Sequence, residues 1–212
     1  MQIRTYALGP LQTNGYLLSS GGQAVFIDPG GDPASVLDVI RQENLTLTHV
    51  LITHLHFDHI YGAAKLARET GATIAANTED GFLLETEVGA GGAMGLPKVE
   101  LFDFAPIAPG AATFVGEECQ IVATPGHTPG SLTFVFPGEG AAFVGDLIFA
   151  RSIGRTDFPG GSTPTLVRSV EQGIFTLPED TTLYPGHGPA TSVGDEKAHN
   201  PFFQPGAPGM GF

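Results

Sequence analysis

The 212-residue sequence has one cysteine, Cys119, so no disulfide can form within the chain, and a cross-linked secreted scaffold is excluded. Basic residues are scarce too: 9 Lys and Arg stand against 22 Asp and Glu, a formal net charge of -13. That balance gives no cationic footprint for nucleic acid or for an anionic membrane surface. No segment reaches the roughly 18 uninterrupted apolar residues of a spanning helix. The first residues, MQIRTYALGPLQTNGYLL, lack the basic-then-apolar order of a secretory leader. The chain reads as soluble and cytoplasmic, with a small molecule as its partner, and its oligomeric state is open.

What is present suits one globular domain spanning residues 1–212: 42% of residues are hydrophobic and only 15% charged, ample material for a core. QIRTYAL, NGYLLSS and QAVFIDP read as successive strands. DPASVLDVIRQEN has helical spacing at Val36, Leu37 and Ile40, behind an Asp32 cap and Pro33 in the first turn. THVLIT is a buried strand, IYGAAKLARETG a helix closed by Gly71, and ATIAAN a further strand. CQIVAT, LTFVF and AAFVGD are strands, TPTLVRSVEQGIF a helix and TTLYPG the final strand. The expected class is α/β: two mixed β-sheets face to face with helices outside, a four-layer αββα sandwich. A doubly wound parallel sheet gives a similar local reading. VGAGGAMGLP lacks the Lys-Ser/Thr of a phosphate loop and reads as a mobile loop, while residues 200–212 form a Pro/Gly-rich tail that packs along the surface and frays.

The segment THLHFDH, residues 53–59, concentrates three of the seven histidines where a buried strand stops and a helix begins. Alternate residues of an extended segment share a face, so His54 and His56 point together while Leu55 and Phe57 turn to the core. Asp58 and His59 then face a second point close by, and two metals about 3.5 to 4 Å apart are a known arrangement for hydrolysis. Three later segments repeat a pattern of strand, glycine-rich turn and one ligand residue: ATPGHTPGS with His127, FVGDLIF with Asp146 and LYPGHGPA with His187. The seven candidates are nitrogen and oxygen donors without thiolate, a set suited to zinc, iron or manganese.

HxHxDH followed in order by GHTPGS, GDLIF and PGHGP resembles the metallo-β-lactamase fold superfamily over nearly the whole chain. The resemblance implies two divalent metal ions, zinc foremost. His54, His56 and His127 would hold one, Asp58, His59 and His187 the other, with Asp146 bridging. Asp58 and Asp146 would position a metal-bound hydroxide as nucleophile. SIGRTDFPGG, residues 152–161, and the ending HNPFF resemble the short single-domain relatives of glyoxalase II, which implies hydrolysis of a thioester such as a hydroxyacylglutathione. The rival branch is the mononuclear iron persulfide dioxygenases, which act on glutathione persulfide and share a GRTDF-like stretch. The helical C-terminal domain with which classical glyoxalase II grips glutathione is missing, and GRTD stands where those enzymes carry a lysine and a tyrosine. Only Arg155 is left to supply a substrate-binding cation. His56 in place of a glutamate speaks against the flavodiiron branch.

Each of these residues has a plainer role to set against the functional one. Arg155 either contacts substrate or pairs with Asp157. Asp28 either hydrogen-bonds a ligand histidine or shapes the DPGG turn. His49 and His199 are expected to be ordinary packing or surface residues, Cys119 an inert buried thiol, and Tyr61 and Tyr184 core residues.

Overall fold

The computed structural model describes residues 1–204. Gln2–Leu8 (β1), Thr13–Ser20 (β2) and Gln23–Ile27 (β3) form an antiparallel meander. Thr46–Leu51 (β4), Thr73–Ala76 (β5) and Ala105–Pro106 (β6) add to it in parallel, so the first sheet is mixed and ordered β1 to β6. Gly110–Phe114 (β7), Glu117–Ala123 (β8), Leu132–Phe136 (β9) and Ala141–Gly145 (β10) form the antiparallel part of the second. Ile148–Phe149 (β11) and Ser152–Ile153 (β12) make a separate hairpin. Thr182–Pro185 (β13) then runs parallel to β10, and Thr191–Ser192 (β14) closes the second sheet, ordered β14-β13-β10-β9-β8-β7.

The two sheets enclose a core in which Leu18, Val25, Ile27 and Leu51 meet Cys119, Ile121, Phe134 and Phe143. On the outer face of the first sheet, Leu17, Phe26 and Val50 pack under the helices Ala34–Gln42 (α1), Phe57–Ile60 (α2) and Ala63–Thr70 (α3). A short helix, Glu87–Ala90 (α4), follows them. The second sheet buries Val135, Ala142, Val144 and Leu183 under Thr163–Ser169 (α5) and Val193–His199 (α6). Central strands are therefore covered on both faces, which is why they read as continuous apolar runs. The layering is the αββα sandwich expected, and the doubly wound single sheet is excluded. Among the described residues no helix is long and apolar enough to cross a membrane.

Three local expectations need correction. The helix expected over 60–71 breaks at Gly62: its N–H donates to Pro29 O at 2.7 Å, and a Cβ there would lie 2.3 Å from Gly31 O, so the chain turns against the DPGG segment. The helix expected over 163–175 is α-helical only to Ser169 and continues as a π-turn, Val170–Ile174. TTLYPG is not the last strand, since β14 and α6 follow, and Ser192 caps α6 by accepting from Asp195 N at 3.2 Å. The strand β7, GAATF, has little local signature, because its glycine and alanines carry little β-propensity. VGAGGAMGLP holds left-handed glycines at 91, 92 and 95 around a 3-10 turn, Ala93–Gly95, and no strand leads into it. In the tail, Pro201–Phe203 forms a 3-10 turn with Phe203 against Phe175, and the expected fraying of 205–212 lies outside the described residues.

Candidate metal centre

Each expected site residue follows the carboxyl end of a strand. THLHFDH continues from β4, His127 lies in the turn after β8, Asp146 follows β10 and His187 follows β13. Two features bring Asp146 into line. The β10–β13 ladder shifts register between Phe143 and Gly145, and Gly145 adopts a left-handed φ of 51°. A Cβ at Gly145 would lie 2.5 Å from Thr53 Oγ1, so only glycine allows this strand end to sit against the THLHFDH loop.

The donors gather into overlapping groups: His54, His56 and His127; His54, His59 and Asp146; and Asp58, His59 and His187, with ligand atoms within 4.8 Å of one another in each. All seven expected residues are brought together. Asp146 lies between the clusters, Oδ1 being 3.4 Å from His59 Nε2 and Oδ2 3.6 Å from Nε2 of both His127 and His187. His187 Nε2 approaches Asp58 Oδ2 at 3.2 Å, and His127 Nε2 lies 2.9 Å from His56 Nδ1.

These groups fit divalent cations. Among the described residues, four buried side-chain atoms have no hydrogen-bond partner: Nε2 of His54, His56 and His59, and Oδ1 of Asp146. The His59 and Asp146 atoms in that set face each other at ion-pair distance without hydrogen-bond geometry. A polar atom left unsatisfied in a dry interior costs about 1–3 kcal/mol, and a bound cation removes that cost. Burial pushes His54 and His56 below the ordinary imidazole range, His56 to about 3, and neighbouring imidazoles add to it. Their rings are neutral, as ligation requires. Burial opposes charge on Asp146, yet His59, His127 and His187 outweigh it and hold that carboxyl below its usual range. At His59 burial is likewise outweighed, by Asp146, Asp58 and Asp28, which raise that imidazole above its ordinary range.

The surroundings fix the rings. Asp28 Oδ2 meets His59 Nδ1 at 2.8 Å and accepts from Thr53 Oγ1 at 2.6 Å, while Oδ1 accepts from Thr53 N at 2.8 Å. Both readings of Asp28 are met: its carboxylate contacts a histidine of the cluster, and its backbone shapes the DPGG turn, with a φ of 53° and its carbonyl accepting from Gly30 N at 2.9 Å. Arg155 is exposed: Nε and Nη2 each donate to Asp157 at 2.7 Å, and the guanidinium stacks on Phe158 at 3.8 Å. The ion pair expected as the plainer role is therefore present. Its backbone does more, since Arg155 O accepts from His127 Nδ1 at 2.6 Å. His49 is half-buried beside Phe114 and His199 is exposed on α6, both away from the cluster. Cys119 is buried and its thiol pushed up to about 12 by that burial, an inert group. Tyr61 and Tyr184 pack against the cores.

Several supports had no advance signal. Thr13 donates to Asp58 Oδ2 at 3.1 Å, and Asn14 Nδ2 donates to Pro185 O and Gly188 O, tying β2 to the His187 turn. Thr and Asn beside Gly15 look like ordinary turn residues. Asn200 donates to Phe149 O and Ser152 O, and buried Glu196 accepts from Arg151 and Thr191, so the C-terminal segment clamps the hairpin after Asp146. Asp80 accepts hydrogen bonds from both histidine loops, from Leu55 N and from Thr128 Oγ1.

The model of the metallo-beta-lactamase superfamily matches residues 8–187. The chain belongs to this superfamily. It is 37% identical over 183 residues to the hydroxyacylglutathione hydrolase GloC of Haemophilus influenzae, covering 84% of this chain and 86% of that protein. Among solved structures it is similar to the BLEG-1 B3 metallo-beta-lactamase (TM-score 0.89, 35% identity, 95% of this chain and 99% of that one). It is similar also to TTHA1623 in a di-iron-bound form (0.84, 34%, 94% and 99%) and to ETHE1 from Myxococcus xanthus (0.75, 32%, 95% and 84%).

A Cβ at Gly186 would lie 2.2 Å from Asp146 Oδ1 and 2.6 Å from His59 Cε1, whereas one at Gly138 meets nothing within 4 Å. Gly186→Ala is therefore expected to weaken divalent-ion binding by at least about tenfold, and Gly138→Ala to leave it unchanged. Dialysis against buffered metal followed by elemental analysis checks both.

Proposed function

We propose that the protein is a binuclear metallohydrolase that cleaves a thioester, an acyl-glutathione such as a hydroxyacylglutathione. The observation that carries the reading is the pair of adjacent donor pockets with Asp146 between them. His54, His56 and His127 would hold one divalent ion, Asp58, His59 and His187 the other, and Asp146 would touch both. The thiolate-free donor set suits zinc or iron, and the di-iron form of TTHA1623 supports two ions. Bound divalent ions supply Lewis-acid polarisation of a carbonyl and lower the pKa of water toward about 7.

The chain's own residues supply orientation. Asp28 on Nδ1 of His59 and the Arg155 carbonyl on Nδ1 of His127 turn both Nε2 atoms toward Asp146. Thr13 holds one oxygen of Asp58. Phe158 lies edge-on to His56 at 5.6 Å between ring centres, and Phe149 edge-on to His187 at 6.2 Å, so apolar surface flanks both pockets. A thiolate leaves without needing a strong acid. Likeness to GloC supports glutathione as the thiol carrier. The second reading, a mononuclear iron persulfide dioxygenase, draws support from likeness to ETHE1 and needs only one ion.

Under argon, metal-loaded protein is expected to release one thiol per hydroxyacylglutathione consumed. Absence of anaerobic thiol release, with oxygen-dependent consumption of glutathione persulfide, would establish the second reading instead. A β-lactam as the sole substrate turned over would place the protein with BLEG-1 in activity.

Arg155 is proposed to grip a glutathione carboxylate through Nη1, the guanidinium nitrogen that Asp157 leaves free. Arg155→Ala should raise KM for a glutathione thioester on the order of tenfold, the loss of one hydrogen bond to a charged group, with kcat little changed. Small neutral thioesters should be unaffected. Equal losses on both substrate types would reduce the side chain to its pairing with Asp157.

A further inference from the structure

Asp80 is fully buried, lies in a 3-10 segment (Thr78–Glu85), and takes no part in the chemistry above. Its carboxylate accepts from three donors on two separate loops. Oδ2 receives Leu55 N at 3.3 Å and Thr128 Oγ1 at 2.7 Å, and Oδ1 receives Gly130 N at 2.6 Å. Leu55 is the residue between His54 and His56, and Thr128 directly follows His127. Thr128 is fixed further by Ser131, whose Oγ accepts from Thr128 N at 3.1 Å. The fit at Gly130 is close: a Cβ there would lie 2.7 Å from Asp80 Cγ and Oδ1. One carboxylate thus spans the two loops whose histidines approach at 2.9 Å between His56 Nδ1 and His127 Nε2. The other pocket is supported separately, by Asp28 on His59 and Thr13 on Asp58.

We propose that Asp80 is a positioning residue that sets the spacing of the His56 and His127 loops, and so tunes the His54–His56–His127 pocket in preference to the Asp58–His59–His187 pocket. The inference rests on the metal-holding roles proposed above. A charged acceptor shared by three donors is stiffer than any one backbone bond between the loops, such as Leu132 N to Thr53 O. Its removal leaves those donors unpaired and lets the loops separate. The unpaired donors also lower the stability of the metal-free fold, so the mark of positioning is that one ion is weakened and the other is not.

The test is a titration of metal-free protein with zinc against a chromophoric chelator, run on wild type, Asp80→Ala and Asp80→Asn, with thermal unfolding of each metal-free form alongside. In Asp80→Ala one of the two ions is expected to weaken by at least about tenfold, the range found when groups that orient ligands are removed. The other should stay within about threefold. Asp80→Asn should fall between, because its amide keeps one acceptor oxygen. A His187→Ala background, which leaves the three-histidine pocket alone, identifies the ion lost: Asp80→Ala there should weaken the remaining one by the same factor. Unchanged affinities, or equal loss of both ions with a matching drop in unfolding temperature, would overturn the proposal. If Asp80→Ala does not fold, an unchanged three-histidine pocket in Asp80→Asn would overturn it as well. Wild type binding no ion at all would instead defeat the metal-holding reading itself.

Discussion

Charge held out of water is the constraint on which this structure depends. Four imidazoles, those of His54, His56, His59 and His127, are almost wholly buried beside the carboxylate of Asp146; Nε2 of three of them and Oδ1 of Asp146 have no hydrogen-bond partner among the described residues. Such a cluster is unfavourable on its own account, because desolvation is not repaid by hydrogen bonds. Divalent cations repay it. Much else in the chain is arranged around that requirement: Asp28 and the Arg155 carbonyl take up outward ring nitrogens, and Gly145 and Gly186 clear space around Asp146. The fold bears a local cost at one sheet edge, offset by three apolar layers elsewhere.

The sandwich makes the convergence possible. The strand ends of β4, β8, β10 and β13 come from two different sheets, and facing sheets lie roughly 10 Å apart, a gap that one imidazole from each side can close. The hairpin of β11 and β12 then folds back over Asp146, and the C-terminal segment clamps it through Asn200 and Glu196. The GRTD stretch follows that hairpin, so its backbone reaches His127 while its Arg155 side chain stays at the surface. One segment thus serves the centre with its main chain and faces solvent with its side chain.

Much of this was legible in the sequence, for physical reasons. Strands buried on both faces show themselves as apolar runs, and residues of special chemistry at their ends, three of them in glycine-rich turns, mark a site; that pattern picks out all seven donors. The breaks in regular structure were less visible. Gly62 interrupts a helix through contact with a turn thirty residues earlier, and the π-turn after Ser169 depends on packing, neither of which local spacing records. The supports were hidden for a similar reason. Asp80, Thr13 and Asn14 act by hydrogen bonds to distant loops, and a buried aspartate reads in sequence like any helix-start carboxylate.

The central claim is that the buried cluster is two linked cation sites that share Asp146. Calorimetric titration of metal-free protein with a divalent ion tests it most directly when wild type is run beside Asp146→Asn, which keeps the side chain's size and removes its charge. The account predicts two ions per wild-type chain and a marked weakening of both in the variant, since the carboxylate lies between the pockets. A single ion in wild type, or an Asp146→Asn chain that binds two ions as tightly as wild type, would contradict it.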